Sequence, residues 1–145
     1  MIDHRFTSGA IHLLRFETGS DLIDSLTEFA AERDIRSASV TFLGAVRHAA
    51  LRYYDQDQKD YRDFAIDNHL EVLSGVGNIS VLDGSPFVHA HAAFADADGK
   101  AYGGHIDRGT EVFALEATLW ELEGGLAPIR ELDEVTGLFL WGPPQ

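Results

Sequence analysis

Cysteine is missing from all 145 residues, which excludes disulfides and thiolate metal sites. Any metal ion would need nitrogen and oxygen donors, a set that suits zinc or another first-row divalent ion and not cluster chemistry. Also missing is an apolar run long enough to cross a bilayer. The opening residues, MIDHRFTSG, lack the apolar stretch of a secretory leader, so the cytoplasm is the expected compartment. Basic side chains are few, 11 against 24 acidic ones, for a formal charge of −13. Proteins that bind nucleic acid or anionic membranes cluster Lys and Arg against phosphate. Here the basic residues are scattered, which argues against direct nucleic-acid binding and membrane docking and is compatible with binding a cation.

The content is otherwise that of an ordinary globular chain, 45% hydrophobic and 24% charged, with residues 1–145 expected to enclose one core as one domain. Residues 10–16, AIHLLRF, read as a first strand with both faces partly apolar, as in a sheet interior. Ser20 is placed to cap a helix over about residues 21–33, where Leu22, Ile23, Leu26, Phe29 and Ala30 share one face. Strand-like runs follow at 37–43 and 46–54, separated by Gly44-Ala45. YDQDQKDYRD reads as an exposed loop or hairpin tip. Residues 69–74 and 77–82 read as the two arms of a hairpin, 110–122 as a long central strand, and 128–134 and 138–141 as closing or edge strands. Leu138 to Trp141 would expose much apolar area on a monomer, which points to a subunit contact.

The chemistry concentrates in residues 87–116, FVHAHAAFADADGKAYGGHIDRGTEVFALE. Side chains alternate along a strand, so His89 and His91 share a face with Phe87 and Ala93, while Val88, Ala90, Ala92 and Phe94 form the core side. Asp98-Gly99 signals a hairpin that returns His105 toward them. A two-residue turn there would set Ala92 opposite His105 and turn that imidazole to the wrong side. Convergence therefore requires an odd loop or a bulge between Ala97 and Gly104, with Gly103-Gly104 as a candidate. Three histidines with an open fourth position form the set associated with catalytic zinc. The competing reading is polar surface on a solvated strand.

Glu116 stands among apolar neighbours on its face, where an unpartnered carboxylate is costly. It is a candidate acceptor for an imidazole N–H, a fourth ligand, or an ion-pair partner of Arg130. Glu71 is placed to face the site if neighbouring strands pair there. Asp107 and Glu111, just beyond His105, are general-base candidates if the site is catalytic, and no reaction is assigned.

The runs GNIS at 77–80, DGSPFVHAHAAFADADGKAYGGHI at 83–106 and ALE at 114–116 resemble the plants-and-prokaryotes conserved (PPC) domain in its prokaryotic single-domain form. The likeness extends from GAIHLLRFETGSDL to IRELDEVTG, and its most specific part is HxH followed by GGH. It implies an α+β fold, mainly antiparallel sheet with one prominent helix, a homotrimer, and His89, His91 and His105 at the positions of the prokaryotic histidines. Plant members carry DNA-binding AT-hook segments, whereas this chain has no RGRP-like core. Two functions follow: a zinc-type site able to hold a small anionic or carbonyl-bearing ligand, or a regulatory, DNA-associated protein in which the histidines are structural or incidental.

Overall fold

Among the described residues, 1–144 of the computed structural model, nine strands and one helix follow in order. They are β1 (Thr7–Arg15), α1 (Leu22–Glu32), β2 (Ala38–Asp55), β3 (Asp60–Ile66), β4 (Leu70–Leu82), β5 (Ser85–Ala95), β6 (Ala101–Ile106), β7 (Glu111–Glu123), β8 (Arg130–Leu132) and β9 (Phe139–Trp141). The expected α+β class holds, with an antiparallel sheet and a single helix. The main sheet runs β1-β7-β2-β4-β5-β6 with β3 also paired to β2, and β8-β9 form a separate ribbon.

Strand β2 organises this sheet because its two halves have different neighbours. Its first half lies between β4 and β7. Its second half pairs with β3, and Leu51 and Arg52 also pair with Ile106 and His105 of β6. Hydrogen bonding thus passes from β2 through β4, β5 and β6 back to β2, closing part of the sheet on itself. The two runs expected at 37–43 and 46–54 are therefore one strand, shifted in register around Gly44.

Three other expectations change. Residues 69–74 and 77–82 are not a hairpin but one strand, β4, whose partner is β5. Gly75 lies within it because a Cβ there would sit 2.1 Å from the Phe42 ring, so this glycine marks close packing and not a turn. β1 is an edge strand, paired only with β7, which leaves Leu13 84% exposed. The helix is capped by Asp21, whose Oδ1 accepts the Asp24 N–H at 2.8 Å, while Ser20 Oγ donates to Glu17 O. Asp21 Oδ2 also accepts the Gly109 N–H at 2.5 Å, tying the helix start to the β6–β7 turn, a link that only a carboxylate's second oxygen provides.

Leu22, Ile23, Leu26 and Ala30 of α1 pack into one core with Val40, Phe42, Leu51, Val88, Ala90, Phe94, Leu115 and Leu119 of the sheet. Each buried Leu contributes about 1.5–3 kcal/mol relative to exposure. The helix covers one face of the sheet. The opposite face remains open and carries the exposed Leu13, Leu43, Leu73 and Val76.

Candidate metal centre

Residues directly opposed on antiparallel strands share a face, and the register draws one row across the open side. It runs Leu13, Thr118, Thr41, Val76, His91, His105, Arg52, Asp63, passing through β1, β7, β2, β4, β5, β6, β2 again and β3. His89, two residues before His91 and opposite Asn78, stands on the same face. Val88, Ala90, Ala92 and Phe94 are buried on the other.

His91 opposes His105 because the β5–β6 loop has an odd length. Ala95 pairs with Ala101, and the ladder is regular from there through Gly103-Gly104. The irregularity is at Gly99, whose φ of 75° places the left-handed residue of a three-residue hairpin loop. Asp96 holds that loop: its Oδ1 accepts the N–H groups of Asp98 and Lys100, and its Oδ2 accepts the Tyr102 hydroxyl. The expected irregularity between Ala97 and Gly104 is present as loop geometry, and the glycine pair makes no bulge.

The three rings form a nearly equilateral triangle, with centroid separations of 5.1, 5.0 and 5.1 Å. One ligand nitrogen from each lies within 4.8 Å of the others. His89 Nε2 and His91 Nε2 are 3.2 Å apart, close to the roughly 3.3 Å that two nitrogens subtend at about 2.0–2.1 Å from a tetrahedral zinc. Burial, then the charges of His105, Arg130 and His91, lower the His89 pKa to about 4. Burial, then His91, lowers that of His105 to about 4, and burial lowers His91 as well. All three are neutral at pH 7, as metal ligation requires. Nitrogen lone pairs this close must share a proton or a cation, so the donor set fits a divalent ion.

Other residues expected near the histidines lie elsewhere. Glu116 shares their face, opposed to Arg15 and Leu43, but two strands, β2 and β4, lie between it and His91, a distance of three inter-strand steps. At about 4.8 Å per strand that is roughly 14 Å, beyond any coordination or hydrogen bond. Arg130 is not its partner either. Glu71 opposes Ala95, at the far end of β5. Glu111 pairs with Arg47 at 3.2 Å. Asp107 is nearer, two residues beyond His105, but Arg52 Nε holds its Oδ2 at 2.6 Å.

The cavity over the triad, about 780 Å³, is completed by residues that the sequence did not connect with the histidines. Tyr61 of β3 sets its ring 5.8 Å from that of His105. Arg130 of β8 donates to Ser80 Oγ, Phe139 O and Asn78 Oδ1, and its guanidinium lies over Phe87 and Trp141. This clamp brings the β8-β9 ribbon against the site. Tyr61 sits in the polar stretch expected to be an exposed loop or hairpin tip, which is the tip of the β2–β3 hairpin, and Arg130 was considered only as a partner for Glu116. Neither has a spaced motif to reveal it.

A metal-containing protein from Archaeoglobus fulgidus superposes with a TM-score of 0.93 at 43% identity, covering 98% of this chain and 99% of that one. A plant- and prokaryote-conserved protein from Pyrococcus horikoshii gives 0.92 at 30% identity, covering 100% and 99%. In sequence, a bifunctional protein GlmU from Synechococcus is 33% identical over 104 residues, covering 71% of this chain but 16% of that much longer protein. A family model matches residues 4–123, and the chain belongs to the Plants and Prokaryotes Conserved (PCC) domain family.

Proposed function

We propose that this is a cytoplasmic metal-binding protein in which His89, His91 and His105 hold a first-row divalent ion, zinc foremost, and leave an open position for a small anionic or carbonyl-bearing ligand. The observation that carries this reading is the triangle of imidazoles, neutral at pH 7 and carried on the paired strands β5 and β6. A relative at 43% identity is itself a metal-containing protein. Bound there, a divalent ion would supply Lewis-acid polarisation of a ligand oxygen. The chain's own part is to orient the three nitrogens from β5 and β6, and to roof the cavity with the Arg130 clamp and Tyr61.

The site also bears on assembly. Val76, 54% exposed, is opposed directly to His91, and Leu13, Leu43 and Leu73 continue the apolar surface along the same face. Contiguous apolar area of this kind marks an interface. A homotrimer that buried it would place each histidine cluster beside a subunit boundary. Binding to DNA has no comparable support, since the net charge of −13 opposes it.

Elemental analysis of protein purified without an affinity tag tests the metal reading. We expect near one equivalent of ion per chain, absent from the His89→Ala/His91→Ala/His105→Ala variant. Equal metal content in the two proteins would remove it.

A further inference from the structure

We infer that the cavity over the three imidazoles admits a small monocarboxylate with an apolar body, and that Arg130 holds its carboxylate group. This rests on the metal reading for the cavity's being a ligand site, and on Arg130 for the class of ligand.

Arg130 is only 7% exposed. A charge so buried is costly unless an opposite charge or a full set of hydrogen bonds compensates it. No ion pair joins it to a carboxylate among the described residues. Its partners are neutral: Ser80 Oγ at 2.7 Å, Phe139 O at 2.9 Å and Asn78 Oδ1 at 3.1 Å. A guanidinium carries five N–H donors, so each Nη keeps one beyond these three bonds, that of Nη2 lying 3.5 Å from His89 Nδ1.

The other guanidinium lining the cavity shows the contrast. Arg52 is balanced by Asp63 at 3.0 Å and Asp107 at 2.6 Å. Lys59, also on the wall, donates to the Glu134 carbonyl at 3.3 Å. Asp60 is the one carboxylate lining the cavity, and its Oδ1 accepts the Tyr61 N–H. In a chain with 24 acidic residues, the charged side chains lining this pocket are three cations, Arg52, Lys59 and Arg130, against the one carboxylate of Asp60, and a bound ion would add to that positive lining. Such a pocket focuses an attractive field on an anion.

Which anion follows from the remaining walls. Phe87, Leu138, Phe139 and Leu140 line the same space, and they penalise a fully hydrated anion such as phosphate while favouring an apolar body. A planar carboxylate matches the edge of a guanidinium, which reads it through charge-assisted hydrogen bonds.

The test titrates EDTA-treated wild-type protein by calorimetry with benzoate, with its uncharged isostere benzamide, and with inorganic phosphate. We expect benzoate to bind about tenfold or more tighter than benzamide, the worth of a charge-assisted hydrogen bond in a desolvated site, and phosphate to compete poorly. Arg130→Gln should abolish the preference. Equal affinity for benzoate and benzamide in the wild type overturns the inference whether or not the variant folds. So does a preference that survives in a folded Arg130→Gln protein, or phosphate competing as well as benzoate. Zinc uptake measured on the same preparation separates the two readings: uptake without benzoate preference sinks this inference alone, and preference without uptake sinks the metal reading alone.

Discussion

Arg130 presents a donor to a histidine that a metal site would equip with an acceptor: its Nη2 lies 3.5 Å from His89 Nδ1. Metal-ligating imidazoles commonly donate their second N–H to a carbonyl or carboxylate, and such partners are worth about 10–100-fold in affinity. An ion held by His89 Nε2 would leave the Nδ1 proton facing a cation. Arg130→Gln replaces that guanidinium with an amide whose oxygen can accept. Zinc affinity, read by competition with a chromophoric chelator, should rise by about tenfold, while carboxylate binding falls. Weaker zinc binding in a folded variant would show that the guanidinium supports the site.

The lowered histidine pKa values set a pH window. His89 and His105 titrate near 4 in the fold because burial opposes their charge, whereas in the unfolded chain they titrate near 6.5. Between about 6.5 and 4 the unfolded state binds more protons than the native state, so stability rises with pH there and is lost as pH falls. Denaturant midpoints of the metal-free protein should therefore drop through this window, more steeply in the wild type than in the variant with all three histidines replaced by alanine. Identical pH profiles would mean that these imidazoles titrate normally.

How much of this was legible depended on whether a local period carried it. The alternation at Phe87 to Phe94 separated core from site face correctly, and turn arithmetic showed that His105 needed either an odd loop or a bulge to face His91. The helix face from Leu22 to Ala30 was equally plain. Glu116 misled because an alternating pattern states the face of a side chain but not which strands lie between it and a target. β4 was divided in two because Gly75, a packing glycine beneath Phe42, looks in one dimension like a turn glycine. Arg130 and Tyr61 reach the histidines through pairings of β3 and β8 that no local period encodes.

Gly103 tests how closely the site depends on that pairing. A Cβ there would lie 2.6 Å from the Ala92 carbonyl oxygen on β5, so Gly103→Ala must push β5 and β6 apart two residues before His105. Overpacking of this kind costs about 1–3 kcal/mol. Metal affinity should fall by at least about tenfold, since a ligand displaced by even half an ångström no longer meets the others. Chelator competition, with circular dichroism to confirm folding, reads both. An unchanged affinity would show that the triad tolerates a loosened hairpin.

The open face supplies the last prediction. Leu13, 84% exposed, and Leu43, 60% exposed, stand beside Glu116 on the surface proposed as the subunit interface. Burying each leucine would stabilise an assembly by about 1.5–3 kcal/mol. A carboxylate in either place would lose that contribution and add a charge beside Glu116 that burial penalises. Light scattering on the wild type should give three times the 15.9 kDa protomer mass. Leu13→Asp/Leu43→Asp should shift it to a single protomer while helical and sheet content persist, because neither side chain enters the core. The histidines lie on other strands of the same face, so zinc uptake in the dissociated variant shows whether one chain holds the ion alone, and a wild type already monomeric at micromolar concentration rules the trimer out.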